Sequence, residues 1–486
     1  MKKNGLLLAI LGVTLALGMA VVGCDTGLKT QGKAIEKIII ETPPLKVNYL
    51  MGEAFDLSGL SVTVIYTDGS EEPTAAYTIQ GDTFTAGTRS IAVSLSDKTA
   101  TFDVVVENTL VDTGLPVVYI ETQNRQHINS KETYITANMI IKDHNNIVHE
   151  NTMRIRGRGN ATWTYPKKPY KIKLDSKANF FSMGNDKDWV LLANYCDKSL
   201  MRTGLAFEMS KILNFAWTPD AEFVELVLNG EYQGNYQLVE GIKQDTKRVN
   251  IPSDGFIVER DGYYLQEPKY FVTNEGFGYS FKNPDTDDLT NDQWDYIKNY
   301  LNGFETVLYS DGFNDPDDGY QKYIDIDSFA GWFLLQNIIA NMDTNPYLTK
   351  SDFTPSSKVF MGPPWDFEWS NGIGWYDGPR PRPANYWVCN GWYYEKLLTD
   401  TAFVNKLKEL WSTYRSPINQ AALQYIDNTK VKLTQSQKLN FRRWDILNTR
   451  VSVEGIPLGS FDAEVGCDRQ FFVNHMAWLD TAINGL

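Results

Sequence analysis

The chain has 486 residues, a length at which two or three separate hydrophobic cores are expected rather than one. Hydrophobic residues make up 42% of the chain and aromatic residues 13%, which excludes a disordered protein, because disordered chains lack the apolar side chains that build a core. The formal net charge of −14 excludes a general nucleic-acid-binding protein, which would carry a basic surface.

The first 23 residues are predicted to be an export signal. Lys2 and Lys3 precede an apolar run at residues 6–22, which is the order of charge and hydropathy in a secretory signal peptide. The Val-Val-Gly-Cys at residues 21–24 resembles a bacterial lipobox and predicts cleavage before Cys24 and diacylation of its thiol. An ordinary signal peptide or a short membrane anchor is the alternative. With lipidation, residues 24–34 form a tether, and the protein is exported and lipid-anchored to the cell membrane or outer membrane, facing the periplasm or the surface.

Cysteine and histidine are scarce, with four residues of each. These numbers exclude a disulfide scaffold and a cysteine-rich zinc site. If Cys24 carries lipid, Cys196, Cys389 and Cys467 remain, and Cys389 with Cys467 is the favoured pair if one disulfide forms.

Residues 35–107 have the pattern of a small all-β module. Alternating runs at residues 38–40, 60–66, 90–95 and 100–106 are predicted strands, and Asp68-Gly69 and Gly81-Asp82 mark turns. The segments at residues 49–60, 66–70 and 86–88 resemble the bacterial Ig-like domains of surface proteins. Such modules act as spacers or weak adhesive units, and residues 108–115 are predicted to be a linker.

A larger unit is predicted at residues 116–486, with strands first and helices later. Strands are expected at residues 117–122, 134–141 and 153–156, and a hairpin at residues 223–240 around Asn229-Gly230. Helices are expected at residues 200–213, 326–340, 403–414, 420–433 and 470–483. The predicted fold class is therefore multidomain, with an all-β Ig-like sandwich followed by an α+β enzyme domain of two lobes around a cleft.

Residues 154–173 form a basic segment in an acidic chain, with seven Lys or Arg and no Asp or Glu. Gly157 and Gly159 flank Arg158, and glycines allow backbone N–H groups to approach an anion closely. Alternation along the following strand puts Lys171 and Lys173 on one face. A glycine turn followed by a strand lysine can bind nucleotide phosphates. The alternative is an exposed basic hairpin.

Two acidic clusters follow, with Asp366 lying 23 residues after Asp343. Asp343 has asparagines two residues away on either side, and Asp366 lies between Trp365 and Phe367. A charged, unpaired aspartate among bulky apolar side chains costs several kcal/mol, and a bound cation compensates that cost. Mg²⁺ takes one or two carboxylates and completes its shell with phosphates, which is the chemistry of phosphoryl transfer. The alternative is two structural aspartates that cap turns.

Together these motifs resemble the CotH kinase family. The resemblance covers residues 116–486 and rests on the segments at residues 156–163, 167–174, 197–202, 229–240, 341–345 and 365–369. It implies an atypical protein-kinase-like fold, the use of ATP and Mg²⁺ (or Mn²⁺), and transfer of the γ-phosphate to Ser or Thr hydroxyls of a secreted or surface protein. It also implies that Asp343 is the catalytic residue and Asp366 the metal-binding one.

The resemblance adds further candidate ligands. Arg158 with Lys168 or Lys173 would bind the phosphates of ATP. Glu240 would pair with that lysine or lie near the adenine, and Glu208 is the other candidate partner unless it belongs to a solvated helix face. The metal site would be completed by Asn345 and Glu368, where the chain departs from the family pattern through Pro346 and through Glu368 in place of the usual Asp.

Two other functions remain open. A degenerate kinase-like fold joined to the Ig-like module would be a non-catalytic surface adhesin, which would not show Mg²⁺-dependent ATP binding. The aromatic-rich residues 369–392 would line a sugar cleft in a carbohydrate-active enzyme with Asp366 and Glu368 as its carboxylates, unless they pack around the site. The expected partners are a secreted or surface protein and, through Cys24, a membrane, whereas nucleic acid is not expected and carbohydrate is unsupported.

Overall fold

The structure is a computed structural model that describes residues 33–144, 146–285, 287–374, 378–383, 387, 391–452 and 455–486. The predicted signal peptide, most of the tether, Cys24 and Cys389 lie outside these residues. Cys467 is a buried thiol, and its pairing with Cys389 stays a prediction. Contact clustering divides the chain into two compact units. One contains the chain up to Leu45 with Leu57–Gln80 and Ile91–Phe102, and the other contains Lys46–Asp56, Gly81–Ser90 and Asp103–Leu486.

Seven strands form two sheets in the N-terminal part. They are β1 (Ile35–Thr42), β2 (Asn48–Met51), β3 (Ser61–Tyr66), β4 (Glu71–Thr74), β5 (Thr78–Gln80), β6 (Gly87–Leu95) and β7 (Lys98–Leu110). The strand orders are β1-β3-β4 and β2-β7-β6-β5. Side chains along β7 alternate between buried and exposed, as expected of a strand with one face in a core. The four strands predicted here from alternation are confirmed.

The next seven strands close into a barrel in the order β10-β11-β12-β14-β13-β8-β9. Their bounds are β8 (Val117–Thr122), β9 (Ile135–Asp143), β10 (Asn146–Gly157), β11 (Tyr170–Asn179), β12 (Asn185–Leu192), β13 (Ala221–Leu228) and β14 (Glu231–Glu240). The predicted hairpin is confirmed, since Asn229 and Gly230 between β13 and β14 have φ of 53° and 78°, the left-handed conformation that such tight turns require. The inward side chains of the strands form one buried apolar cluster.

A second sheet of five strands follows, in the order β16-β17-β15-β18-β19. Its strands are β15 (Phe256–Arg260), β16 (Tyr270–Val272), β17 (Gly278–Asn283), β18 (Tyr347–Lys350) and β19 (Phe360–Met361). The helices are α1 (Arg202–Ile212), α2 (Asn291–Leu308), α3 (Ile326–Ile338), α4 (Tyr394–Leu397), α5 (Thr401–Lys432), α6 (Ser436–Arg443) and α7 (Phe461–Asn484). Among the described residues, no helix is both long and apolar enough to cross a membrane.

Helix α3 lies at the centre of the larger unit. Asp325 caps its first turn by accepting a hydrogen bond from the Ser328 N–H at 2.8 Å. From Phe329 to Ile338 every residue is buried, which fits a helix that is apolar on all sides and surrounded by other elements. This rigid helix ends five residues before Asp343 and therefore fixes where the first acidic cluster begins.

Helix α5 corrects the sequence prediction. Two helices were expected at residues 403–414 and 420–433, but a single helix of 32 residues spans both, with Pro417 inside it. Proline removes one backbone hydrogen bond and usually breaks a helix. Here Ile418, Ala422 and Ile426 remain buried on one face beyond the proline, and this packing keeps the helix continuous.

Candidate active site

Most of the predicted site residues line one cavity of about 500 Å³. One wall comes from the connection between β10 and β11 and from the segment between β12 and α1. Further lining residues come from β15, the loop after it and β17. The cavity is also lined by Asp343, Asn345, Asp366 and Glu368, together with Arg158, and so the structure brings five of the predicted site residues together.

The two acidic clusters are joined by one asparagine side chain. Asn341 is buried, and its Nδ2 donates hydrogen bonds to the carbonyl oxygens of Asp366 at 3.0 Å and Asp343 at 3.3 Å. The Met342 N–H also donates to the Trp369 carbonyl at 3.0 Å. Because these bonds satisfy buried backbone groups, the loops that carry the two aspartates are fixed relative to each other.

The environment of Asp366 favours its protonated form. Its φ of 65° lies in the left-handed region, which aspartate tolerates better than most residues. Burial first, and then the negative charge of Asp343, raise the pKa of Asp366 to about 7, against the opposing charge of Arg158. The carboxylate is nevertheless accessible from the cavity, so water that reaches it moderates the effect of burial.

Asp343 is half-buried, and burial raises its pKa as well. Asn345 opposes this rise, because its Nδ2 donates a hydrogen bond to Asp343 Oδ1 at 2.9 Å. In the structure, the carboxamide of Asn345 therefore orients the Asp343 carboxylate, while the second oxygen of that carboxylate is left for other partners.

Glu368 lies on the barrel side of the cavity. Its Oε1 accepts a hydrogen bond from the Cys196 N–H at 2.9 Å, and burial raises its pKa to about 7. Lys167 lines the same region, although sequence reasoning passed over it in favour of its neighbour. The Lys167 ammonium donates to the Asn235 carbonyl and to Asn440 Oδ1, and burial lowers its pKa to about 7.

The structure does not bring Lys168, Lys173 or Glu240 to this cavity. The Lys168 Nζ folds back and donates to the Trp163 carbonyl at 2.6 Å. Lys173 lies on the outer face of β11, because the alternation of that strand turns Tyr170, Ile172 and Leu174 into the barrel. Glu240 is an ion-pair partner of buried Arg248 and accepts a hydrogen bond from the Asp220 N–H, and burial raises its pKa to about 7.

An ion pair on the second sheet supplies a cation that sequence reasoning missed. Lys282 Nζ on β17 lies 2.8 Å from Glu259 Oε2 on β15, and both residues line the cavity. Neither belongs to a recognisable motif, since the chain shows only a charged residue at the end of each apolar run. The pairing of β15 with β17 brings them together. Glu208, in contrast, lies on α1 beside Lys211 at 3.2 Å, as a solvated helix face would place it.

A buried charge cluster anchors the loop after Asp366. Arg202, with no exposed surface, donates from Nε to the Ser370 carbonyl at 3.0 Å and from its two terminal nitrogens to Asp197 and Asp468. Asp197 also accepts hydrogen bonds from the Ser199 N–H and the Arg202 N–H. We call Asp197, Arg202 and Asp468 the arginine clamp. It accounts for the 197–202 segment singled out in the sequence.

The aromatic-rich stretch contributes little to the cavity. Trp375, Tyr376 and Tyr386 lie outside the described residues. Of the described members, Trp369 lines the cavity, whereas Tyr393 and Tyr394 are fully buried in the core. Trp392 stacks on Tyr393 with ring centroids 4.1 Å apart. The described aromatic residues after Trp369 thus pack as a core cluster rather than as the wall of a sugar cleft.

A cavity in which two linked aspartates face arginine and lysine side chains has the composition of a kinase-type site. The sequence profile described as "CotH kinase protein" matches residues 155–478, and the one described as "Bacterial Ig-like domain (group 3)" matches residues 42–106. The first match covers more than half of the chain, and the chain belongs to the CotH kinase family.

Comparison with individual proteins adds less. No curated protein matches this chain. A solved structure, titled as that of the Golgi casein kinase, aligns over 76% of this chain and 73% of that chain, with 8% sequence identity and a TM-score of 0.21. A similarity this low bears neither on the fold nor on the function.

The family implies a nucleotide and a divalent cation, and the described residues fit such a cation in one way. They contain no group of three or more His, Cys, Asp or Glu side chains that could hold a metal by themselves. Asp343 and Asp366 are, however, close enough for one charge to raise the pKa of the other. Two neighbouring carboxylates that repel each other are suitable ligands for Mg²⁺, which completes its shell with phosphate oxygens and water.

Proposed function

We propose that this protein transfers the γ-phosphate of ATP to a Ser or Thr hydroxyl of a secreted or surface protein, with Mg²⁺ or Mn²⁺ as the cation. One observation carries the proposal: Asp343 and Asp366, joined through Asn341, line a single cavity with Arg158 and Lys282. Phosphoryl transfer depends mainly on positioning and on stabilisation of negative charge, and these residues can supply both.

Each residue has a separate role in the proposed reaction. Asp343, oriented by Asn345, accepts a hydrogen bond from the acceptor hydroxyl. Arg158 and Lys282 hold the phosphates of ATP, and Glu259 fixes the position of Lys282. The hydroxyl oxygen bonds to the γ-phosphorus while the bond from that phosphorus to the β–γ bridging oxygen breaks. ADP leaves with the electron pair of that bond, and the hydroxyl proton passes to the Asp343 carboxylate.

Asp366 is the proposed ligand of the cation, and Glu368, which lines the same cavity, would help to complete the site. When bound, Mg²⁺ would neutralise phosphate charge and hold the β- and γ-phosphates. We also propose that the protein is exported and lipid-anchored through Cys24, which rests on the sequence of residues 1–24 alone.

The test is phosphate transfer from radiolabelled ATP by the purified protein to a panel of Ser- and Thr-containing peptides, with and without Mg²⁺. Replacing Asp343 or Asp366 by Asn should lower the rate by on the order of 10²- to 10⁴-fold, as expected for loss of an acid–base or metal-binding group. Asp295→Asn, an exposed aspartate on α2, is the matched control and should leave the rate unchanged. Transfer that survives both active-site substitutions would refute the assignment.

A further inference from the structure

Four cations on the outer face of the barrel form a surface that the proposed reaction does not use. Arg154 and Arg156 lie on β10, and the register places them opposite Lys173 and Lys171 of β11. We call these four residues the basic grid. The residues that alternate with them face the barrel interior and are fully buried or nearly so: Met153, Ile155, Ile172 and Leu174. The direction of the grid side chains is therefore fixed by the core behind them.

Charge in the basic grid is poorly compensated. Like charges directly opposite on neighbouring strands destabilise a sheet. Arg156 Nη1 lies 3.7 Å from Glu132 Oε2, but the Glu132 side chain is 85% exposed, and such a pair contributes little. Asp188 is opposite Lys173 in the next strand, yet it accepts a hydrogen bond from Lys243 at 2.9 Å. A costly cationic surface in a chain of net charge −14 indicates an anionic ligand.

The basic grid continues into the candidate active site. Arg158, which lines the cavity, follows Arg156 on the same chain segment, and its N–H donates to the Pro169 carbonyl at 3.3 Å just before β11 begins. Burial lowers the pKa of the Lys171 ammonium, and Arg156, Arg158 and Lys173 lower it further, against the charge of Asp188. Arg158 thus links the basic grid to the cavity, and an extended chain that leaves the cavity beside Arg158 would run onto the grid.

The spacing of the basic grid suits a phosphorylated peptide. Alternate residues of a strand are roughly 6.6–6.8 Å apart, and an extended peptide places its own alternate side chains at the same interval. Arginine binds phosphate through two parallel hydrogen bonds. The ring of Tyr134 lies 5.6 Å from the Arg154 guanidinium and 5.0 Å from that of Arg156, and it holds both arginines over one side of the grid.

We propose that the basic grid binds a segment of the protein substrate that already carries phosphoserine or phosphothreonine at alternate positions, so that a further hydroxyl of the same chain reaches the cavity. The inference rests on the proposed function, because the transfer reaction would supply those phosphates. An anionic membrane surface is the other partner that a cationic face could bind. Continuity with Arg158 favours the substrate, since a membrane would gain nothing from an adjoining active-site cavity.

Binding is tested without ATP, by fluorescence anisotropy of an extended peptide with phosphoserine at alternate positions, beside the same peptide without phosphate. At low ionic strength the phosphopeptide should bind more tightly than the peptide without phosphate. The double substitution Arg154→Gln/Arg156→Gln should lower the affinity for the phosphopeptide by about five- to tenfold, the size expected for two charge-assisted contacts near the surface. Lys358→Gln/Lys438→Gln removes two exposed cations outside the grid and should leave the affinity unchanged.

Equal affinity for the two peptides, or an equal loss in the control variant, would overturn the proposal. So would sedimentation of the protein with phosphatidylglycerol vesicles that requires Arg154 and Arg156 while the phosphopeptide stays unbound, because the grid would then face a membrane. Failure of the proposed function is seen separately, as absence of transfer to unphosphorylated peptides. The grid variant should catalyse that transfer as fast as the unaltered protein, since Arg154 and Arg156 do not line the cavity.

Discussion

Asp366 and Asp343 share the electrostatics of one small space. The pKa of Asp366 is raised to about 7 from an ordinary value of 3.8, so its carboxyl keeps a proton at pH values where an aspartate in the unfolded chain has lost it. Because Asp366 ionises more easily in the unfolded chain than in the folded protein, its contribution to the free energy of unfolding falls as the pH rises from about 3.8 toward 7. A cation bound beside the carboxylate would remove this cost.

Replacing Asp343 by Asn should shift the pH dependence of cation binding. In the unaltered protein, Mn²⁺ must displace a proton from Asp366, so its affinity should rise as the pH increases through about 7. Asp343→Asn removes the negative charge that raises the pKa of Asp366, and the midpoint of this rise should therefore move to lower pH. Electron paramagnetic resonance of free Mn²⁺ between about pH 5.5 and 8.5 measures it, within the range over which a perturbed carboxyl titrates.

The control for this prediction is Asp295→Asn, which removes an exposed carboxylate from α2 and should leave the midpoint where it is. A midpoint that stays fixed or moves upward in Asp343→Asn would contradict the electrostatic coupling of the two aspartates. A lower maximal affinity without a change of midpoint would mean that Asp343 acts only as a direct ligand.

Single residues were predictable where local sequence determines their setting. Asp343 and Asp366 each sit next to a strong local signal, a long apolar helix or a pair of aromatic residues, and both reach the cavity. The choice of lysine failed: Lys168 or Lys173 was expected at the cavity and Lys167 lines it instead, because a strand pattern says which residues share a face but not which face meets a cavity. Lys282 and Glu259 meet only through strand pairing, which the sequence does not reveal.

At the scale of elements, the arginine clamp connects α1, α7 and the loop after Asp366. Its guanidinium binds two carboxylates from different parts of the chain and a carbonyl of the loop itself. Burial raises the pKa of Asp468 to about 7 despite the neighbouring charge of Arg202. The free energy of this cluster therefore depends on keeping Arg202 in place, since either carboxylate left without it would be a buried, unpaired charge.

Arg202→Lys should lower kcat more than it raises KM for ATP. A lysine keeps the charge but cannot reach both carboxylates and the Ser370 carbonyl at once, so the loop that carries Asp366 should shift. A displacement of about 1 Å at a reacting centre costs on the order of 10²-fold in rate, which sets the expected loss in kcat. Steady-state kinetics with varied ATP measures this loss. Urea unfolding at the assay temperature first shows that the variant is folded there.

Arg380→Lys is the matched variant for the clamp. Arg380 is also nearly buried and pairs with a carboxylate of α7, Glu464, at 2.7 Å. Arg380→Lys should lower the free energy of unfolding as Arg202→Lys does, by up to about 3–5 kcal/mol, the cost of breaking a buried ion pair. It should spare kcat, because Arg380 lies 14 residues after Asp366 and donates its described hydrogen bond to Glu464 on α7 rather than to the backbone beside Asp366. Equal losses of kcat in the two variants would show that the clamp only stabilises the fold.

The bounds of a helix were predictable where no residue within it gave a conflicting local signal. The start and end of α1 and α3 lie within two residues of prediction, because each is a stretch rich in apolar residues that stops where the helix stops. Helix α5 was divided wrongly at Pro417, because local propensity gave way to packing of its buried face. Helix α7 begins at Phe461 rather than at residue 470, and its cap by Ser460 was the overlooked signal.

For the molecule as a whole, charge decides how a nucleotide can enter the site. The cavity is lined by three cations and six carboxylates: Arg158, Lys167, Lys282, Glu259, Asp261, Glu267, Asp343, Asp366 and Glu368. Around it the chain carries a net charge of −14. ATP without a cation is itself a polyanion, so both the local and the global field oppose its binding.

ATP and Mg²⁺ should therefore stabilise the protein only together. At a nucleotide concentration a hundred times the dissociation constant, the gain is about 2.7 kcal/mol, which should raise Tm by a few degrees. Differential scanning calorimetry with a non-hydrolysable ATP analogue measures the shift. Asp366→Asn should abolish the dependence on Mg²⁺, and an equal shift by the analogue without Mg²⁺ would contradict the proposed site.

Closure of the barrel also has a consequence for solubility. Because β9 pairs with both β8 and β10, each of the seven barrel strands has a hydrogen-bonded neighbour on both sides. The five-stranded sheet ends on β16 and β19, which have only three and two residues. Long open strand edges are where proteins recruit further chains and aggregate. If the protein is exported as proposed, edges this short would limit such recruitment where ATP-driven chaperones are absent.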